Sequence, residues 1–241
     1  MAEPEPPAPA LSIWQRPERA SRGPAPEHSR AAIAAAGVRL ADADGLAATT
    51  MRRVATALGT APASLYRYVA NRDELLALMG DAALAEMSLR DLPSGAGWQV
   101  DVLTVAQRLR RLYQRHRWLL DLMTGPGPAA LGPAAVDYLE GVVAALSEVE
   151  VPARTKMEAV AMLTGMVSLF TKDELAAGNS SEQAQAASAA YLGSVVAAGN
   201  HPHLAALMAQ ANPTVGGSPE ELFERLVLGA LSGLLAPPPR T

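Results

Sequence analysis

The amino-acid sequence predicts an all-α protein with a small N-terminal unit and a larger C-terminal one. Composition is the first reason: 49% of the 241 residues are hydrophobic, 4% are aromatic, and alanine and leucine dominate. Such a composition favours helices over strands. Periodicity is the second reason. Apolar residues recur at helical spacing in one segment after another, and no stretch of useful length alternates as a strand would.

The N-terminal unit is predicted to begin after an arm. Residues 1–26 hold seven of the nineteen prolines and are expected to form a flexible arm. The first helix is predicted to start near Glu27, because apolar residues such as Ile33 and Leu40 then recur at intervals of three and four. Gly45 ends this helix, since glycine adopts turn conformations that other residues resist.

Two short helices are predicted next. Thr49 or Thr50 is suited to cap the first of them, and Gly59 ends it after about two turns. Pro62 fits the first turn of the second helix, where its missing N–H costs nothing, and this helix is expected to run to about Val69. Two short helices joined by a tight glycine turn are typical of a helix-turn-helix.

A fourth helix and a domain junction follow. Asn71 is a good N-cap, and Glu74 three residues later completes an arrangement like a capping box. The apolar run of this helix ends at "DLPSGAG", which we interpret as the junction between a DNA-binding domain at 27–90 and a second domain at 91–241. Pro, Gly and Asn clusters divide the second domain into predicted helices at 98–115, 116–124, 133–148, 152–176, 182–199, 202–210 and 219–236.

Several functional classes are disfavoured by what the sequence lacks. There is no cysteine, which excludes disulfides and thiolate chemistry. The N-terminus has no signal-peptide pattern, and no apolar stretch approaches the ~20 residues of a membrane span, so a cytoplasmic protein without a membrane partner is expected. No catalytic motif is present, and the pair His201 and His203 has no acid nearby. We therefore predict no enzyme activity, no cofactor and no metal site.

Charge is distributed unevenly along the chain. No acidic residue lies between Asp44 and Asp73, whereas four arginines and two tyrosines do, in a protein of net charge −4. Arginines neutralise phosphates or bind guanine, and tyrosine hydroxyls donate to phosphate oxygens, so this stretch suits double-stranded DNA. The alternative is a solvated basic face on an ordinary helical hairpin, which the charge pattern alone leaves equally open.

The order of residues in this stretch distinguishes the two interpretations. The segment "TMRRVATALGTAPASLYRYVANRDEL", residues 50–75, has a capping threonine, an apolar–alanine pair, a glycine turn and Leu-Tyr-x-Tyr-Val followed by Asn-Arg. This order resembles the signature of the TetR family of bacterial transcriptional repressors, over residues 27 to about 87. The resemblance implies a helix-turn-helix DNA-binding domain followed by a helical ligand-binding and dimerisation domain.

The resemblance assigns DNA-binding roles to individual residues. Ala61, Pro62 and Ala63 depart from the family pattern and leave the tip of the recognition helix with few hydrogen-bonding groups. The remaining candidates for base contacts are Arg52, Ser64 and Arg67. Candidates for phosphate contacts are Thr50, Arg53, Tyr66, Tyr68 and Arg72. Leu65 and Val69 are expected to anchor the short helix to the core.

The C-terminal domain resembles that of the tetracycline repressor more weakly. The resemblance implies an unidentified small-molecule effector and a homodimer built from the helices at 152–176 and 219–236. Both are apolar and carry small residues that allow close helix approach, although two buried helices of one monomer would look the same. Candidate ligand-binding residues are Trp98, Tyr113, His116, Trp118, Met123, Tyr138, Met162, Met166 and Phe170.

Alternatives stay open for these residues. Met and aromatic residues at helical spacing usually fill a core, and a histidine at a helix junction is usually a packing or capping residue. His116 nevertheless falls near the position at which tetracycline repressors carry a metal-ligating histidine. Arg108, Arg110, Arg111 and Arg115 crowd one helix and could accept an anionic group on the ligand, or they could simply be solvated.

The sequence as a whole predicts a ligand-responsive repressor that binds a palindromic operator as a homodimer. A constitutive DNA-binding protein with a solid C-terminal core is the main alternative. A helical binding module or an enzyme is a third, which would require the basic stretch to be buried.

Overall fold

A computed structural model of the chain describes residues 12–17, 28–92, 96–124, 131–179, 181–210 and 218–236. Within these ranges the secondary structure is helical and contains no strand, which confirms the predicted all-α fold class. The chain divides into two compact units, Met1–Glu150 and Val151–Thr241. This division follows compactness and does not test the predicted domain boundary at residue 90, which stays a prediction. No helix in the described ranges is both long and apolar enough to cross a membrane.

The first unit contains seven described α-helices and a 3-10 turn. The helices are α1 (Arg30–Asp44), α2 (Met51–Ala57), α3 (Pro62–Leu65), α4 (Arg72–Leu84), α5 (Trp98–Arg115), α6 (Trp118–Thr124) and α7 (Pro133–Ala145), and the turn is Leu46–Ala48. Side-chain caps begin three of these helices, at Ser29, Thr50 and Asn71, and the caps at Thr50 and Asn71 were expected from the sequence. The Glu74 carboxylate accepts the N–H of Ala70, one residue before the position that a capping box would use.

The core of the first unit anchors α3, the predicted recognition helix. Helices α1 and α4 cross closely, because a Cβ added at Gly37 would lie 2.6 Å from Met79 Sδ. Leu65 and Val69 are fully buried beside Val54 of α2. The sequence predicts that α3 runs to about Val69, but the helix ends at Leu65. The chain turns there, because the N–H groups of residues 68 and 69 both donate to the Leu65 carbonyl.

Residues 12–17, called here the N-terminal segment, lie against the first unit. Ile13 is 3% exposed, and the Arg30 guanidinium donates to the Ile13 and Arg16 carbonyls at 2.7 and 2.8 Å. We predicted a flexible arm for this part of the chain, and for residues 12–17 that expectation is wrong because an apolar side chain and a guanidinium dock the backbone. The rest of the predicted arm, 1–11 and 18–26, lies outside the described residues.

The second unit contains α8 (Ala153–Asn179), α9 (Glu182–Ala197), α10 (Pro202–Gln210) and α11 (Pro219–Leu235). Helix α11 begins with a full capping box between Ser218 and Glu221. It packs on α8 through buried side chains such as Val167 and Leu231 and through a ring contact of 5.0 Å between Phe170 and Phe223. Helices α9 and α10 contain no buried residue.

Candidate functional site

The α2–α3 region forms the predicted helix-turn-helix. Gly59 adopts a φ of +70°, a left-handed conformation that glycine takes without a steric penalty. The N–H of Thr60 then donates to the Ala55 carbonyl at 3.0 Å and closes the turn. Pro62 occupies the first position of α3, as its missing N–H predicts. The turn therefore leads directly into the recognition helix.

Most of the predicted DNA-binding residues reach the surface of this region. Tyr66 is 56% exposed, and Ser64 is half-buried. The other exposed members of the set are Thr50, Arg52, Arg53, Arg67 and Arg72. The third interpretation of the sequence required this basic stretch to be buried, and these exposures contradict that requirement.

Tyr68 is the exception. It is 8% exposed and belongs to the core, so the structure does not support the predicted phosphate contact by its ring. The reason is geometric: Tyr68 follows Leu65 by three residues and so falls on the inward side of the turn. Its carbonyl accepts a hydrogen bond from Arg30 Nε at 3.3 Å.

The arginines of this surface fall into two groups. Arg53 forms an ion pair with Asp44 and also donates to the Ala48 carbonyl, and Arg72 donates to the Leu46 carbonyl at 3.0 Å. Their guanidinium groups are thereby oriented by the 3-10 turn, as suits phosphate contacts that position a protein on DNA. Arg52 and Arg67 make no side-chain hydrogen bond within the described ranges, so their donors remain available for base edges.

The candidate ligand residues of the first unit are mostly core residues. Tyr113, Trp118 and Tyr138 are buried, Trp98 is half-buried, and Met123 is exposed. This arrangement agrees with the alternative that aromatic residues at helical spacing fill an interior.

The remaining candidates lie in the second unit. Met166 and Phe170 share the wall of an apolar pocket of about 180 Å³ between α8 and α11, whereas Met162 is exposed. The other residues lining this pocket are Leu169, Asp173, Phe223, Leu226 and Val227.

His116 lies at the junction of α5 and α6, between two carboxylates. Its Nδ1 is 2.8 Å from Asp42 Oδ1, and its Nε2 is 3.2 Å from Glu86 Oε2. The indole N–H of Trp118 also donates to Asp42 Oδ1, at 2.7 Å. Asp42 belongs to α1 and Glu86 follows α4, so this junction joins both helices to the start of α6. We call the group formed by Asp42, Glu86, His116 and Trp118 the histidine joint.

Electrostatics favour this arrangement. Burial alone would raise the pKa of Glu86, but hydrogen bonds from His116 and Arg115 outweigh it and leave the pKa lowered. The two carboxylates lie on opposite sides of the imidazole, which leaves no common point for a cation. Accordingly, no group of three or more acidic or histidine side chains in the described ranges is arranged to hold a metal.

A second pocket, of about 280 Å³, lies between the segment that follows α4 and helix α5. Three of the four arginines singled out from the sequence line it, and Arg110 is buried instead. Arg108 pairs with Asp91 at 2.7 Å, and Arg115 pairs with Glu86 at 2.6 Å. Each pairing commits part of a guanidinium to the protein itself, which limits what remains for an anionic ligand.

Two family models match this chain. The model described as bacterial regulatory proteins of the tetR family matches residues 33–79. The model described as the tetracyclin repressor-like C-terminal domain matches residues 92–236, which is more than half of the chain. The chain belongs to the TetR family. The resemblance seen in the helix-turn-helix sequence is thereby confirmed.

Relatives within the TetR family are similar to this chain over most of its length. The HTH-type transcriptional repressor DrrR1 of Streptomyces coeruleorubidus is 34% identical over 203 residues, which cover 81% of this chain and 74% of the relative. The crystal structure of the Streptomyces coelicolor TetR family protein ActR in complex with actinorhodin has a TM-score of 0.71 and 28% identity, and the match covers 87% and 96% of the two chains. The chain is a TetR family transcriptional repressor.

Sequence reasoning missed the contacts that join distant helices. The pairs His116–Asp42 and Arg16–Glu74 are separated by 74 and 58 residues. No local pattern predicts such partners, because each side chain is compatible with many surroundings. The buried position of His116 at a helix junction was anticipated only as one of two alternatives.

Proposed function

We propose that this TetR family repressor binds a palindromic operator as a homodimer and releases it when a small molecule binds. The observation that supports DNA reading best is the α2–α3 surface, where Arg52 and Arg67 are exposed and have no side-chain hydrogen bond among the described residues. No acid from 45 to 72 opposes the phosphates. Because its target is DNA, we expect the protein to act in the cytoplasm.

The homodimer is proposed on the apolar faces of α8 and α11. Leu169 of α8 is 63% exposed, and Leu222 and Leu226 of α11 are exposed on the same face as Gly229. A Cβ added at Gly165, Gly229 or Gly233 would meet no atom within 4 Å among the described residues. Large apolar faces with small residues are suited to close helix packing against a second copy.

Ligand response is supported by a relative and by the histidine joint. The similar protein ActR has been crystallised in complex with actinorhodin, so a related chain holds a small molecule. Here the histidine joint links the start of α6 to α1, a helix that packs on α2. We propose that a ligand that displaces α6 also shifts α1 through this joint, and with α1 the DNA-binding helices α2 and α3.

A constitutive DNA binder stays the second candidate, because Tyr113, Trp118 and Tyr138 fill the interior of the first unit. The two candidates differ in whether any ligand changes operator affinity. Actinorhodin is the first compound to test, with operator release and Trp118 fluorescence followed together. A Trp118→Phe variant identifies the signal of this tryptophan, and release without a change in Trp118 fluorescence would argue against coupling through the joint.

The DNA-reading role is tested by the double variant Arg52→Ala/Arg67→Ala. If both guanidinium groups contact bases, each loss costs on the order of 1–3 kcal/mol on the specific duplex. The specific duplex is selected beforehand, as the sequence that wild-type protein enriches from a randomised DNA pool. The control variant is Arg154→Ala, on an exposed turn of α8. A double variant that binds this duplex as tightly as wild type would contradict the assignment.

A further inference from the structure

The N-terminal segment is held by the side chain of Arg30, which makes three hydrogen bonds to backbone carbonyls, two of them in this segment. Arg30, the first residue of α1, donates to the carbonyls of Ile13 and Arg16 and, through Nε, to the carbonyl of Tyr68. Tyr68 lies in the turn that closes the recognition helix. One guanidinium therefore ties the N-terminal segment to the end of α3.

A second tie reaches the start of α4. Arg16 pairs with Glu74 at 2.5 Å, and the same Glu74 oxygen accepts the Ala70 N–H at 2.7 Å. Ala70 lies between the recognition helix and α4, so the carboxylate links the N-terminal segment to the loop leaving α3. Both partners are partly shielded, with 32% and 20% of their side-chain surface exposed. An ion pair in such a position is screened less than one on an open surface.

Trp14 of the same segment lies against the beginning of α7. A Cβ on Gly132 would lie 2.1 Å from Asp81 Oδ1 and 2.7 Å from Trp14 Cζ2, so the carboxylate and the indole both pack against this glycine. Asp81 of α4 caps the same helix end by accepting the N–H groups of Ala134 and Ala135 at 2.9 and 3.3 Å. The N-terminal segment thus spans from the recognition helix to α7 within the first unit.

We propose that the N-terminal segment is a positioning element for DNA reading, in which Arg16 acts through Glu74 to fix the end of the recognition helix. This inference rests on the proposed DNA contacts of α2 and α3. It assigns Arg16 a role different from a direct phosphate contact, since its guanidinium is already held by a carboxylate of the protein. Arg16 and Glu74 are therefore expected to act as one unit.

The experiment compares three variants: Arg16→Gln, Glu74→Gln and the double variant. A glutamine at 74 keeps an oxygen that can accept the Ala70 N–H and removes only the charge. Affinity is measured on the duplex enriched by wild-type protein from a randomised pool and on a scrambled duplex, each at several salt concentrations. The control is Arg154→Gln/Glu158→Gln, which removes an exposed ion pair of α8.

Positioning predicts that both single variants weaken binding of the enriched duplex by about three- to tenfold, as expected for a partly shielded pair. The double variant is expected to lose no more than either single variant, because the two side chains act together. Scrambled-duplex affinity and the salt slope should stay at wild-type values, since no phosphate contact is removed.

A direct phosphate contact by Arg16 predicts the opposite pattern and would overturn the proposal. Arg16→Gln would then lower the salt slope by about one and weaken both duplexes, whereas Glu74→Gln would strengthen binding by removing a repelling charge. Unchanged operator affinity in both variants would overturn it as well. Thermal unfolding of each variant corrects the affinities for any unfolded fraction. A wild-type protein that enriches no duplex would overturn the proposed function itself, and this inference with it.

Discussion

The α2–α3 surface and the exposed faces of α8 and α11 differ in what they leave for a partner. On α2 and α3 the guanidinium donors of Arg52 and Arg67 have no partner in the part of the chain that the structure describes, and the helices that carry them pack on a buried core. On α8 and α11 they are leucine side chains and bare glycine backbone, as at Leu169 and Gly229. Exposed cations are satisfied by water until a polyanion replaces it, whereas exposed apolar surface is stabilised only when it is buried.

Two surfaces with such different chemistry should respond differently to salt and to substitution. Binding through charge is expected to depend on salt and to weaken gradually as single charges are removed. Binding through apolar burial is expected to depend little on salt and to fail when one unpaired charge enters it.

The largest effect is expected for Gly229→Glu on α11. The position is open in the single chain, so the subunit should still fold, but a second copy would bury the carboxylate without a partner. We expect the dimer dissociation constant to rise by at least about a hundredfold, corresponding to roughly 3 kcal/mol. Sedimentation velocity measures it, with Gly193→Glu as the control, at an open glycine of α9 and outside the two proposed dimer helices. A wild-type protein that is monomeric at micromolar concentration would contradict the dimer.

The next effect concerns the support beneath the arginines. Leu65 is fully buried, so Leu65→Ala should lower the free energy of unfolding by about 2–5 kcal/mol. Chemical denaturation measures this change, and the exposed Leu131→Ala is the matched control. If Leu65→Ala costs no more than Leu131→Ala, the recognition helix is not anchored as described.

A smaller effect is expected for Arg72→Ala. Arg72 is oriented by the Leu46 carbonyl and is exposed, which suits a phosphate contact. Enriched and scrambled duplexes should be weakened alike, and the slope of log affinity against log salt should fall by about one. A loss confined to the enriched duplex would instead indicate a base contact.

The smallest effects are pH dependences of opposite sign. The pKa of Glu86 is lowered, so its contribution to stability is present at neutral pH and is lost as the pH falls below about 4. The pKa of Asp81 is raised, chiefly because burial disfavours the charged carboxylate, although hydrogen bonds from backbone N–H groups oppose this shift. The protonated form of Asp81 therefore stabilises the fold at low pH, and this contribution is lost as the pH rises above about 4. Urea unfolding across this range measures both.

Two variants separate these contributions. Glu86→Gln should be less stable than wild type at neutral pH, and the difference should shrink on acidification. Asp81→Asn keeps an oxygen for the α7 cap and should gain on wild type as the pH rises. Equal pH profiles for the two variants would show that these carboxylates do not differ in the way described.

Local contacts explain how much of this molecule could be predicted from sequence. Caps at Thr50 and Asn71 were predictable because cap and helix are neighbours in the chain, and the anchors Leu65 and Val69 because burial follows periodicity. The burial of Tyr68 was not predictable, because the backbone turn that follows Leu65 determines whether the Tyr68 side chain faces solvent or the core. The histidine joint was not predictable either, since the partners of His116 come from α1 and from beyond α4.

The tip of the recognition helix has a consequence for the operator. Ala61, Pro62 and Ala63 are exposed and carry only hydrocarbon side chains, for which thymine methyl groups are the matching feature of the major groove. We expect each half-site of the proposed operator to contribute a modest preference for thymine at these contacts, and in the proposed homodimer the two preferences would add as free energies. We therefore expect the proposed operator to tolerate single base-pair changes at these thymine contacts, provided that the spacing of its two halves is kept.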